Sequence, residues 1–352
     1  MRIKRRQITY VDVFLWAFRI VVVFIVVVGS IATLKAGRYT GRQWADFVEF
    51  GLAQGGIYAL IALGYTMVYG VLNMINFAHG EVFMSGAYIA YFVAVPLATS
   101  GFLNQQVLLS LLLLLVVAMA VSMGVALLLE RVAYRPLRRA PRMIPLITAI
   151  GASFFLQYTF RGFFGAGVQA YPDIRVLTGE WQVGPVHILR TQGLVLVAAV
   201  VTMLVLYAIV MRTKLGKAMR AVSEDRDAAA LMGIDVDRII VFTFALGGAM
   251  AGVAGIMYAL VFKQVYFFTG FVPGIKAFTA AVLGGIGNIP GAMLGGMFLG
   301  VVESMGPALF LDGFGVRAPY QLRDVIAFTM LLIMLIFRPS GFLGERLAAK
   351  RA

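Results

Sequence analysis

Few side chains in this chain have chemistry to offer, and those that do interrupt apolar runs. Asn73, Asn76, His79 and Glu81 fall together between two hydrophobic segments, and Asn288 lies in a second interruption, Gly284-Gly285-Ile286-Gly287-Asn288-Ile289-Pro290-Gly291. Asparagine amides can hydrogen-bond a zwitterion, or satisfy the backbone groups that a broken helix frees, and the second use is the commoner one inside membranes. His79 beside Glu81 has the elements of a proton relay, although such a pair near a helix end more often makes a local structural contact. We nominate these five residues for a translocation path. No cysteine and only two histidines are present, so no thiolate or familiar zinc site is expected, and no catalytic residue or bound cofactor. The phosphate-loop pattern G-x-x-x-x-G-K-[ST] does not occur, so nucleotide energy would have to come from other chains.

A second group of residues has mechanical rather than reactive chemistry. The charged stretch from Thr213 to Asp235 lies between two uncharged segments of membrane length. Leu215, Met219 and Val222 mark one apolar helical face. Ser223 is expected to cap a second short helix, whose first turn carries Glu224, Asp225 and Asp227 at the positive dipole end. Gly233 suits the left-handed residue that closes it. Ala228 to Ala230 leave low relief, so a helix lying across the base of a membrane could enter a shallow groove on another protein. An amphipathic helix resting on lipid is the equal alternative on these residues alone.

Composition sets the frame for both groups. The 352 residues are 61% hydrophobic and 13% charged, with mean hydropathy +0.91, far from soluble norms. The net charge of +14 sits in short clusters between apolar runs, where membrane topology accounts for it better than nucleic acid. Met1 to Arg6 is basic, but the following apolar run reaches Leu34 without a small-residue cleavage site, and reads as a retained first helix.

Segments of about 20 apolar residues lie near 11–34, 50–72, 81–99, 107–129, 143–164, 191–211, 239–262, 277–302 and 319–337. Arg19 in the first is expected to snorkel. The fold class is therefore all-α, a polytopic membrane helix bundle. Lysine and arginine clusters at 2–6, 131–142 and 212–226 place those parts inside. Nine single crossings would then leave the basic tail outside, against the same rule. The glycine-rich run at 284–291 resolves the conflict if 277–302 is a broken or re-entrant hairpin beside about eight full spans. The two interruptions, Asn76 to Gly80 and Asn288 to Gly291, share a faint rhythm that an internal repeat would produce. Gly248 and Gly252, Gly291 and Gly295, and Gly296 and Gly300 are small-xxx-small pairs, read first as helix packing. Trp181 to Ile188 alternates like an outer hairpin, able to meet a solute-binding partner or simply to cap the bundle.

Several motifs in order carry a family resemblance. The run Ile57 to Gly70, then Ile75-Asn76-Phe77-Ala78-His79-Gly80-Glu81, resembles the LivH-type permease of branched-chain amino acid ABC importers. So do Lys217 to Val222, Asp227-Ala228-Ala229 through Gly233-Ile234-Asp235, Lys276 to Gly287, and Arg338-Pro339-Ser340-Gly341. The likeness divides the chain into an N-terminal extension with an extra membrane helix (1–44), a permease domain (45–345) and a basic cytoplasmic tail (346–352). It implies a bacterial inner-membrane subunit with both termini cytoplasmic. Its implied partners are a LivM-like second permease, two cytoplasmic ATPases that use the ATP, and a periplasmic solute-binding protein.

The resemblance also implies that Gly216, Arg220, Glu224, Asp227, Ala228, Ala229 and Gly233 form the loop that seats on an ATPase. The chain departs from the wider docking pattern in having Asp227 where glutamate is usual and in lacking a later Ile-x-Leu-Pro. Bulky replacement of Gly233, or Ala229→Arg, is expected to uncouple ATP hydrolysis from uptake. The alternative is an ion-gradient-coupled secondary transporter of small organic solutes, which should hold firmly intramembrane acids, whereas Glu130, Glu303 and Asp324 read as near span ends. A channel or scaffold subunit ranks last.

Overall fold

A computed structural model of the chain describes residues 10–344, apart from Asn73, Arg139, Arg142, Gly184, Pro185, Ala318 and Pro339. The proposed path residue Asn73 and the basic tail from 346 onward thus lie outside the described residues. In order the helices are α1 (Tyr10–Ala36), α2 (Gly41–Leu72), α3 (His79–Thr99), α4 (Phe102–Gln105), α5 (Val107–Leu129), α6 (Met143–Phe164) and α7 (Arg190–Arg212). They continue with α8 (Lys214–Glu224), α9 (Arg226–Leu231), α10 (Val236–Phe262), α11 (Phe271–Gly284), α12 (Ile289–Gly306) and α13 (Arg323–Phe337). Two small antiparallel pairs complete the fold. Strand β1 (Gln169–Ala170) meets β4 (Gln264–Val265), and β2 (Glu180–Val183) meets β3 (Val186–Leu189) with Glu180 opposite Leu189. The second pair forms the hairpin expected over Trp181 to Ile188.

Nine helical segments among the described residues are long and apolar enough to cross a membrane. The bundle is organised around α2. Every residue from Ala53 to Val68 is buried, so this helix is apolar on all sides instead of carrying one stripe. Such burial requires neighbours to approach backbone to backbone, and glycine allows it. A Cβ on Gly55 would lie 2.7 Å from the Gly296 carbonyl, and one on Gly296 would lie 2.6 Å from the Ala59 Cα. Gly51 and Gly300 repeat the contact a turn away. On the other side α10 meets α5, where a Cβ on Gly252 would lie 2.6 Å from Met119 Cα and one on Gly248 would lie 2.8 Å from Ala126 Cβ. All three glycine pairs expected to pack do so. Their partners Gly51 and Gly55 carry the same function.

The segment expected to be one broken span is a hairpin of unequal arms. Helix α11 has 14 residues, about 21 Å at the usual rise, and stops at Gly285, whose φ of 102° only glycine adopts readily. Asn288 caps α12 by accepting from the Gly291 N–H at 2.8 Å, with Pro290 in the first turn where no donor is lost. Gly284 packs on Gly291, and Gly295 on Ala280, which makes the arms antiparallel. The second arm runs on through a π turn at Pro307–Leu311 to give a full-length apolar segment, Ile289–Phe314. The break therefore lies between a short arm and a complete span, not in the middle of one span.

Helix α1 stands apart, with 6% of its apolar window buried. It leans on the turn after α12, where Gly29 meets Phe310 and Gly313 meets Ala32. Arg38 pairs with Asp312 at 3.1 Å. Arg19 was expected to snorkel; its guanidinium instead lies 3.6 Å over the Phe337 ring of α13, a cation–π contact that suits a charge in apolar surroundings.

Because Gly296 faces the backbone of α2, enlarging it must part the two helices. Gly296→Leu should lower the melting temperature in detergent and the yield of monodisperse protein sharply, by more than the roughly 1–3 kcal/mol of ordinary overpacking. Gly124→Leu, at a glycine with open space around it, should behave as wild type. Equal behaviour of the two variants would contradict this packing.

Candidate functional site

The face bearing α8 and α9 carries the basic cluster at 212–226. The two helices form a capped, rigid projection. Thr213 caps α8, its hydroxyl accepting from the Gly216 N–H at 3.0 Å. Asp225, in extended backbone between the helices, caps α9 by accepting from Asp227 N–H at 2.9 Å and Ala228 N–H at 3.0 Å. Ser223, the expected cap, is still inside α8 and donates back to the Arg220 carbonyl. Glu224 accordingly ends α8 and does not begin α9. Gly233 at φ 83° closes α9 as expected: its N–H donates to Ala230 and the Ile234 N–H to Ala229, both at 3.0 Å, a Schellman ending.

The inward face of the projection is Gly216, Met219 and Val222, with Ala229 from α9. Gly216 lies against the last carbonyls of α7, from Ile209 and Val210. Two expectations change. Leu215 is half exposed and off the packed face, and Ala229 is buried. Arg220, Glu224, Asp227 and Ala228 are exposed. Beyond them Leu231 and Met232 are 89% and 83% exposed, which sequence patterning missed because neither fits the helical stripe. Large apolar side chains at the tip of a water-facing projection mark contact surfaces.

The projection is tied to the bundle. Arg226, at the start of α9, donates to the carbonyl of Val71 in the last turn of α2 at 3.1 Å. Burial holds its guanidinium below the ordinary arginine pKa, and the nearby Arg138 acts in the same direction. Arg138 bridges Glu130 at the end of α5 to Asp237 at the start of α10. Next to these residues the chain leaves α2 and turns back into α3.

That turn holds most of the nominated path residues. Asn76, His79 and Glu81 are each no more than 2% exposed. The Asn76 side-chain carbonyl accepts from the Tyr134 hydroxyl at 2.6 Å. Glu81 accepts from Gln157 at 2.6 Å and from Ser153 at 3.2 Å through one oxygen. His79 packs edge-on to Tyr65 with ring centroids 4.9 Å apart, and occupies the space where a Cβ on Gly64 would lie. The starts of α3 and α11 converge here, since Gly80 touches Gly270 and Gly274. The second oxygen of Glu81 lies beside Gly270, at the positive end of α11, where a carboxylate is favoured. Among the described residues that oxygen has no hydrogen-bond partner, while the His79 ring lies within reach of the Ile61 backbone carbonyl. Asn288 is not part of this cluster. Its partners are Gly291 and the Leu343 carbonyl, at 3.0 Å, so the faint repeat of the two interruptions does not give their asparagines one role.

A second buried network was not foreseen. Lys276 of α11 pairs with Glu303 of α12 and, at 2.7 Å, with Asp324 of α13. Gln54 of α2 donates to Glu303 at 3.2 Å and to Tyr58 at 2.5 Å. Glu303 is thus inside the bundle and not at a span end, and Glu81 and Glu130 are equally buried. The supposed lack of intramembrane acids does not separate an ATP-driven permease from an ion-coupled one. Periodicity alone could not find the pairing, because its members lie on four helices.

The family whose description is branched-chain amino acid transport system, permease component, matches residues 47–335. The chain belongs to this family. The permease is 44% identical over 298 residues to the high-affinity branched-chain amino acid transport system permease protein BraD of Pseudomonas aeruginosa, covering 84% of this chain and 94% of that one. It is 40% identical over 300 residues to LivH of Escherichia coli, with the same coverage. A probable LivH of Methanocaldococcus jannaschii is 28% identical over 306 residues, covering 84% and 91% of the two chains. The permease is a multi-pass transport subunit, and α1 precedes the family match.

Breaking a buried ion pair leaves a charge without its partner, at a cost of about 3–5 kcal/mol. Lys276→Met should therefore destabilise the permease strongly in thermal melts, and Lys276→Met with Glu303→Leu should recover most of the loss. A single variant that melts like wild type would show that the network is not structural.

Proposed function

We propose that this permease, with a LivM-like second permease, forms the membrane path of an ATP-driven importer for branched-chain amino acids or similar small solutes. The relatives' printed names support the substrate class, and the resemblance of the 217–235 motifs to an importer docking loop supports the drive. In this reading two cytoplasmic ATPases bind and hydrolyse the ATP, and a periplasmic binding protein delivers cargo to the face with the β2–β3 hairpin. The chain itself binds no cofactor, changes no covalent bond in its cargo, and sits in a bacterial inner membrane with both termini cytoplasmic.

The observation that carries the reading is the exposed pair Leu231 and Met232 at the end of a doubly capped helix tied to α2 by Arg226. A partner that buries this tip gains apolar burial, about 25 cal/mol per Å². Its motion then has a rigid route: α9 to the end of α2 through Arg226, and from α2 to the α2–α3 turn that holds Asn76, His79 and Glu81. Those three residues are enclosed in this conformation. We infer that they open to the path when α2 and α3 move apart, with the second Glu81 oxygen and the His79 ring supplying polar contacts to cargo or water. Asn288 acts at the inner break as a cap.

Two measurements test the proposal. Leu231→Asp and Met232→Asp, both on the exposed tip, should leave insertion and folding intact, reduce uptake at least tenfold, and leave basal ATP hydrolysis in place; full uptake in both variants would contradict the docking role. Ala229→Arg, by contrast, should impair folding, since Ala229 faces inward. Uptake should also require ATP and persist when ion gradients are collapsed, whereas gradient-dependent, ATP-independent uptake would favour the secondary-transporter alternative.

A further inference from the structure

Beneath α8 and α9 lies a cavity of about 420 Å³, within the size range of small-ligand sites, roughly 300–1,000 Å³. Tyr134, the hydroxyl donor to Asn76, lines it, while Asn76, His79 and Glu81 do not. Its walls divide by chemistry into three parts. Leu72, Met74, Leu137 and Pro145 supply an apolar wall; Arg138 and Arg226 supply cations; Glu224 and Asp225 supply carboxylates. Several of these groups have unused hydrogen-bonding capacity. Among the described residues Arg138 Nε is buried without a partner, and Arg226 donates to the Val71 carbonyl through one nitrogen. Asp225 uses one oxygen to cap α9.

This combination excludes the simpler ligands. An inorganic anion would meet two carboxylates, and a simple cation would meet two guanidiniums. A wholly apolar molecule would strip water from four charged groups and offer them nothing. A small molecule with a carboxylate, an ammonium group and an aliphatic side chain answers all three walls, the carboxylate as a charge-assisted acceptor for arginine.

We propose that this cavity is a second, cytoplasm-facing binding site for a free aliphatic amino acid, and that its occupation restrains the α8–α9 projection. The site borders the path cluster at Tyr134 and rests on the orientation and cargo class proposed above. Because it is bounded on one side by Glu224, Asp225 and Arg226 and on the other by the ends of α2 and α5, a bound molecule braces the projection against the bundle. Accumulated product would then slow further import.

The test uses tritiated L-leucine and the full-length permease in nanodiscs, alone and in its complex, by equilibrium dialysis without binding protein. Saturable binding of one molecule per chain is expected. 4-Methylpentanoate, lacking the ammonium, and 3-methylbutylamine, lacking the carboxylate, should each compete at least tenfold more weakly than leucine. Ala140→Trp, which fills the cavity, and Glu224→Gln, an exposed change, should each weaken binding at least tenfold. Leu108→Trp on an exposed face should not. In proteoliposomes, leucine on the α8–α9 side should lower ATP-driven uptake at least twofold, and Ala140→Trp should remove that inhibition. Absence of saturable binding, equal competition by either analogue, or unchanged binding in both cavity variants would overturn the proposal. Binding to the isolated permease does not require ATPases, so a negative result there leaves the coupling reading standing. Uptake independent of ATP would sink the coupling reading while leaving the binding result interpretable.

Discussion

Close backbone contact around α2 is the constraint on which the rest of the structure depends. In a bilayer, helices gain little from burying apolar surface against each other, because lipid is equally apolar; close packing and internal polar contacts hold them together. Gly51, Gly55, Gly296 and Gly300 bring α2 and α12 to backbone contact, and the same device joins α5 to α10 through Gly248 and Gly252. Helix α2 is thereby buried along most of its length and can act as a stiff strut.

Two interruptions depend on that strut. Around the turn from α2 to α3, Tyr134 donates to the Asn76 side chain, Gln157 and Ser153 donate to Glu81, and Tyr65 packs edge-on to His79. The α11–α12 hairpin is closed by glycines with positive φ and by the Asn288 cap. Irregular backbone at membrane depth survives only where protein or water satisfies it, so both breaks sit against protein. The Arg226–Val71 hydrogen bond then ties the α8–α9 projection to the end of α2, next to the first break.

Much of this was legible in the sequence where local chemistry decides the outcome. Hydropathy located the spans, the parity conflict located the hairpin, and Gly233 ended its helix in the left-handed conformation that only a glycine adopts at low cost. Failures came where the deciding partner is distant in the chain. Ser223 carries good capping chemistry, but Asp225 occupies the extended residue between helices and takes the role. Ala229 and Leu215 exchanged faces because the packing of α8 follows Gly216 against the end of α7, a contact invisible to a stripe count. Glu303 looked terminal until Lys276, Gln54 and Asp324 were seen around it. His79 fits only because Gly64, on the preceding helix, leaves room for its ring.

The central claim is that an engine subunit bears on the tip of α9. The chain contains no cysteine, so a single Met232→Cys change provides a unique attachment point on a side chain that is 83% exposed. Crosslinking from that position in intact membranes, with and without trapped nucleotide, should join the permease to its cytoplasmic ATPase and change in yield with the nucleotide state. Labelling of the same cysteine by a membrane-impermeant reagent added from the periplasm, or crosslinks to lipid alone in every nucleotide state, would contradict the account.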